Sequence, residues 1–198
     1  QGRSARLYRR SRVRQHAFFA SIVNSQRAVM LRATDQIWVA DVTYLRVAGQ
    51  WRYLAAVMDK HSRRIIGWSL SERRDVALTL KALRHAVGHR QPAPGCVFHT
   101  DRGIEYAAFD MRDELKRHGL VQSMNRPGRM NDNAHMESFF HSMKTEALYG
   151  LTFDTDNALR SELRSYIQFY NQERLHSALD YLSPVAFERR QAQQSCVN

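Results

Sequence analysis

The stretch from Ile37 to Leu70 constrains the fold most. It reads IWVADVTYLRV, then WRYLAAVMD after Ala48, Gly49 and Gln50, then RRIIGWSL after Lys60, His61 and Ser62. β-branched and aromatic residues dominate each run and short turn-like groups separate them, which predicts three strands joined as an antiparallel meander. A helix from about Asp75 to His89 follows, because Val76, Leu80, Leu83 and Val87 recur at the three- and four-residue spacing of an amphipathic helix. The segment QPAPG ends it, since proline and glycine interrupt helical hydrogen bonding. CVFHT then reads as a short strand running into Asp101, residues 105–118 as a helix, LVQSM as a strand and RPGRMND as a loop. Helical signals return near Asp132, where Asn and Asp can cap free amides, and continue through MESFFHSMKTEAL. A further helix runs from about Asp156 to Asn171. The order predicts an α/β domain with a mixed five-stranded sheet flanked by helices.

Three carboxylates stand out against this framework. Asp41 shares one strand face with Val39 and Thr43, while Ala40 and Val42 occupy the other. An ionised group in so apolar a strand is costly unless a cation, a hydrogen-bond network or water compensates it. Taken singly it reads equally well as an edge-strand aspartate in water. Asp101 ends the CVFHT strand, a common position for ligand-binding carboxylates, although Asp-Arg-Gly is also good turn chemistry. Glu137 lies in an early helical turn, on one side with Asn133, His141 and Lys144, where a lone glutamate ordinarily complements the helix dipole. As a set, a mid-strand aspartate, a strand-end aspartate and a helix glutamate can face one cleft. Oxygen ligands of this kind suit magnesium, and two ions roughly 3.5–4 Å apart would support in-line phosphoryl displacement.

The charge balance agrees with a polyanionic partner. The chain carries a formal net charge of +11, yet residues 1–34 hold eight arginines and no carboxylate, so +8 resides there. That segment reads as a basic linker or the remnant of an upstream DNA-binding region, with the core over 35–188 and a tail over 189–198. Cys96 and Cys196 provide no disulfide framework and no Cys-x-x-Cys pair, which fits a reducing compartment. No apolar run approaches the ~20 residues of a membrane span. His135-Met136-Glu137 invites comparison with zinc deaminases, but the Pro-Cys-x-x-Cys segment they need is missing from the sequence. The chain begins with Gln1 rather than Met, leaving room for an upstream portion.

Long blocks then carry a resemblance: DVTY around Asp41, WRYLAAVMDKHSRRIIGWSL, HTDRGIEY around Asp101, NRPGRMNDNAHMESFFHSMKTE around Glu137, and YNQERLHSALDYLSPVAFE. Across about residues 35–188 the chain resembles bacterial insertion-sequence transposases of the OrfB type, whose catalytic core is related to retroviral integrase. The 35 residues between Asp101 and Glu137 match the spacing of that acidic-triad group. The resemblance implies a ribonuclease-H-like fold, Asp41, Asp101 and Glu137 as catalytic metal ligands, and two magnesium ions with manganese as substitute. It also implies a two-stage reaction, hydrolysis that frees a 3′ hydroxyl and then strand transfer into DNA.

Lys144 lies seven residues past Glu137, two helical turns along the same face, where a cation would meet phosphate. Arg126 and Arg129 in the loop before the Glu137 helix, and Arg102 beside Asp101, are further candidate DNA contacts; Arg102 reads equally as a partner for a neighbouring carboxylate. Tyr170, Asn171, Arg174 and His176 either brace the last helix or touch DNA, while Asp59 is assigned to its hairpin. The expected partners are element ends and target DNA, with a homo-oligomer forming on DNA and no membrane, in the bacterial cytoplasm at the nucleoid. Relatives of this kind usually carry an upstream helix-turn-helix portion, so recognition of specific ends by this chain alone is not expected. A plain nuclease of the same fold, or an inactive DNA-binding fragment, are the competing readings.

Overall fold

A computed structural model describes residues 22–126 and 133–195. The meander forms as expected: β1 (Ile37–Val47), β2 (Gln50–Asp59) and β3 (Ile65–Ser71) are antiparallel neighbours, with Asp41 opposite Ala56. Ala48 and Gly49 both adopt positive φ, 47° and 76°, as the tight two-residue turn of a twisted hairpin requires. β4 (Val97–Thr100) joins the other side of β1 in parallel, and β5 (Val121–Met124) joins β4 in parallel, giving the order β3-β2-β1-β4-β5.

Helices cover both faces. On one lie α4 (Ala134–Met143) and α5 (Asp156–Gln172), whose Met136, Phe139, Phe140, Leu159, Leu163 and Tyr166 pack on Val39, Leu54, Ala56 and Met58. On the other lie α1 (Val76–Arg90) and α3 (Phe109–Arg117), whose Leu78, Leu83, Ala86, Met111 and Leu115 pack on Trp38, Ala40, Ala55 and Val57. Burial on both sides explains why IWVA shows no alternation of apolar and polar residues. Gly67 lets α1 approach β3, because a Cβ there would overlap the Ala82 carbonyl and the Ala86 amide.

Two details differ from the sequence expectations. The helix expected over 105–118 is two pieces, α2 (Ile104–Ala107) and α3, because Ala108 is extended at φ −60° and ψ 148°. Beyond Met143 the helix over MESFFHSMKTEAL loosens into a π-helical turn, Lys144–Leu148. The capping position near Asp132 lies outside the described residues; Asn133 is the residue at the start of α4. After α5 the chain forms α6 (Pro184–Ser195), whose Glu188 is fastened to Arg64 and Arg90 at 2.6 and 3.0 Å.

Candidate active site

β4 stops pairing at Thr100, which lies beside Ala40, so β1 loses its neighbour on that side where Asp41 begins. Asp41 is therefore not on an edge strand. It sits on a central strand at the point where one edge opens, half buried and facing the layer of α4. The Asn133 side chain takes up the opened edge, its Nδ2 donating to the Ala40 carbonyl at 3.2 Å. That bond ties the first turn of α4, and so Glu137, to the residue preceding Asp41.

Asp101 follows β4 directly and accepts a hydrogen bond from the Gly103 amide at 2.9 Å. A buried hub sets this strand end. His99 is fully buried, with Nδ1 2.8 Å from Ser123 Oγ and Nε2 between Asn125 Oδ1 at 2.7 Å and Gln26 Nε2 at 2.9 Å. The imidazole thereby binds the ends of β4 and β5 to the 3₁₀ turn Ser25–Ala28.

Electrostatics bring the acidic residues together. Burial pushes the Asp41 carboxyl up to about 7, and the Asp101 and Glu137 carboxylates add to the rise, against one hydrogen bond from the Val42 amide and the positive charge of Arg74. Burial also raises Asp101. Arg74, which no sequence signal marks, lies 3.9 Å from Asp101 and 2.8 Å from the buried Glu105.

Glu137 is exposed on α4 and lies farther out. Among the described residues no three acidic, histidine or cysteine side chains are close enough to hold one ion in this arrangement. The donor chemistry nevertheless fits a hard cation. Asp41 and Asp101 offer oxygens whose mutual repulsion a cation would relieve, and among the described residues the buried Tyr106 hydroxyl and Asn133 Oδ1 have no hydrogen-bond partner. Glu137 completes such a set only by approaching the other two.

Lys144 lies at the start of the π-helical turn with its Nζ 4.7 Å from the Tyr44 ring centre. This cation–π contact holds the ammonium beside the opened edge of β1. Arg102 donates from Nε to the Asn125 carbonyl at 2.6 Å, joining the ends of β4 and β5, and Arg126 is exposed just after β5. Arg129 lies outside the described residues. Asp59 accepts from the Asp35, His61 and Ser62 amides, consistent with its hairpin assignment.

A five-stranded mixed sheet between helical layers, with carboxylates at the end of β4 and beside it on β1, is a ribonuclease-H-like fold of the kind found in integrase catalytic cores. Integrase core domain models match residues 32–130 and 137–191, and the chain belongs to the integrase core domain family. Transposase InsF for insertion sequence IS3A of Escherichia coli K12 is 43% identical over 157 residues, covering 79% of this chain and 54% of that protein. An uncharacterized 31 kDa protein of insertion element IS600 from Shigella sonnei is 40% identical over 164 residues, 82% and 60% of the two chains. The chain thus spans little more than half the length of these relatives.

Among solved structures, the HTLV-2 integrase catalytic core domain in complex with magnesium superposes with a TM-score of 0.62 at 14% identity, over 79% of this chain and 97% of that one. A chain of the simian T-cell lymphotropic virus intasome in complex with PP2A regulatory subunit B56 gamma gives 0.66 at 17%, over 80% and 57%. Among the described residues no helix is long and apolar enough to cross a membrane.

Proposed function

We propose that this chain is the catalytic portion of a DNA transposase, with Asp41, Asp101 and Glu137 as its catalytic metal ligands. The observation that carries the reading is the position of Asp41: a half-buried carboxylate raised to about 7, feeling both Asp101 and Glu137 where β1 opens beside the end of β4. The names of the relatives and the magnesium in an integrase core of the same fold support it.

Asp41 and Asp101 would hold magnesium, or manganese in its place, and Glu137 would close on a second ion once DNA is bound. When bound, the ions offset charge on the phosphodiester in the transition state and polarise the attacking oxygen. In the first step water forms a new P–O bond, the bond to the 3′ oxygen breaks, and that oxygen leaves as a hydroxyl. In the second, the 3′ hydroxyl attacks a phosphodiester of target DNA, so one P–O bond again replaces another. Lys144 would meet a backbone phosphate beside the opened edge, and Arg102, Arg126 and Arg129 would extend the phosphate track. Arg74 keeps Asp101 oriented through Glu105.

The partners are element ends and target DNA, held by two or more copies of the chain on the nucleoid in the cytoplasm. The domain assignment is residues 1–34 as a basic segment, 35–188 as core and 189–198 as tail. The test is a strand-transfer assay with labelled element ends, target DNA and magnesium, using the chain with any upstream region of its gene restored. Joined product is expected. Cleavage without joining would instead identify a nuclease.

A further inference from the structure

Beside α4 lies a cavity of about 520 Å³, lined by the turn between β2 and β3, by α4, and by the segment after α5. Arg63, His135, Arg174 and His176 line it with Ser138 and Tyr170, and no carboxylate lines it among the described residues. Arg174 is committed to Glu146 at 2.7 Å. Arg63 is different. It has no carboxylate or hydrogen-bond partner among the described residues, and burial lowers its guanidinium from the ordinary value. Its backbone is left-handed at φ 63°, a conformation unfavourable for a long side chain. Among the described residues His176 Nε2 is buried without a hydrogen-bond partner, and burial, with Arg174 and Arg63, disfavours a charge on that imidazole. Uncompensated positive charge with an unused ring nitrogen suits an anion that accepts several hydrogen bonds.

We infer that this cavity binds a phosphate group of the DNA backbone, with Arg63 as its principal ligand and His176 and Ser138 as neutral partners. The inference rests on the DNA reading above. His135 and Ser138 stand on α4 on either side of Glu137 in sequence, so the cavity and the acidic site share that helix. A strand crossing the end of β4 would be anchored there without its sequence being read.

The experiment compares the whole chain with Arg63→Asn and Arg63→Gly, both at ease in the left-handed conformation and so expected to fold, and with Arg164→Gln, which removes an exposed charge on α5. Duplex binding is measured against salt with no divalent ion present, and inorganic phosphate is titrated against thermal unfolding. Both Arg63 variants should bind duplex about 3–10-fold more weakly, with a salt slope smaller by about one phosphate contact, and should lose the protection by phosphate. Arg164→Gln should change neither by as much as twofold. Equal effects of the Arg63 and Arg164 changes, or an unchanged slope in Arg63→Asn, overturn the site. Phosphate protection through Arg63 without any effect on duplex binding overturns the backbone as its ligand. Failure of the unsubstituted chain to bind duplex at all would instead defeat the DNA reading.

Discussion

Two places along β1, its amino end and the end of its pairing with β4, differ in how far hydrogen bonds answer the burial that raises Asp59 and Asp41 alike. Near its amino end, Asp59 is wholly buried yet accepts hydrogen bonds from three amides and the Ser62 hydroxyl, while Arg90 joins Asp35 and Glu188 at 2.9 and 3.0 Å. Burial alone would push Glu188 up, but Arg90 and Arg64 outweigh it and hold the carboxyl below its usual range. Where β4 ends, Asp41 has one amide and a distant guanidinium, and its carboxyl rises to about 7. The first end spends its charges on cohesion. The second keeps negative charge unbalanced, which is what a site for cations requires, at a cost in stability that the first end helps to carry.

The largest expected effect breaks the second end. Glu137→Gln or Asp101→Asn should lower magnesium-dependent strand cleavage by on the order of 10³-fold or more, while metal-free duplex binding changes less than about threefold. Gel-based cleavage and binding titrations check both, and retained cleavage in either variant would remove that residue from the site. At the first end, Arg90→Ala takes from Asp35 its guanidinium partner and leaves Glu188 with Arg64 alone, and should cost about 2–4 kcal/mol in denaturant unfolding. A loss below about 0.5 kcal/mol would show that the network contributes little to cohesion.

Asp41→Asn should do the reverse. Burial raises the folded carboxyl from its ordinary 3.8 to about 7, so the folded state binds the proton more tightly and ionisation destabilises it as pH rises through that window. The asparagine variant should match the parent near pH 4 and exceed it above pH 7 by on the order of 1–2 kcal/mol without metal. A difference independent of pH would contradict the assignment. The smallest effect concerns Lys144. Tyr44→Leu removes its aromatic support and should weaken duplex binding about two- to fivefold, with little change in unfolding.

Much of this contrast was legible before the structure. The meander and the mixed sheet followed from β-type runs and helical spacing, and the proposed triad from family blocks, because those signals are local or lie within one motif. What stayed hidden was compensation between distant segments. Arg74 meets Glu105 across 31 positions, Asn133 meets the Ala40 carbonyl across 93, and Gln26 meets His99 across 73. Polar residues in such pairs look solvated in sequence, since no periodicity marks a partner supplied by the fold. The same reason left Tyr170, Asn171, Arg174 and His176 undecided. In the structure Asn171 braces β3 through both backbone groups of Ile65, at 2.9 Å each, while Arg174 and His176 line the cationic cavity. Ala108 broke a helix whose spacing looked continuous, because local propensity does not record how α2 and α3 must bend around β4 and β5.

The central claim is that Asp41, Asp101 and Glu137 share divalent metal. Crystals of the chain with manganese and a DNA end, read by anomalous scattering, test it most directly. The account predicts a peak about 2.0–2.2 Å from Asp41 and Asp101 oxygens, with Glu137 drawn onto a second ion. Density bound elsewhere, or Arg74 still against Asp101 with no ion beside Asp41, would contradict it.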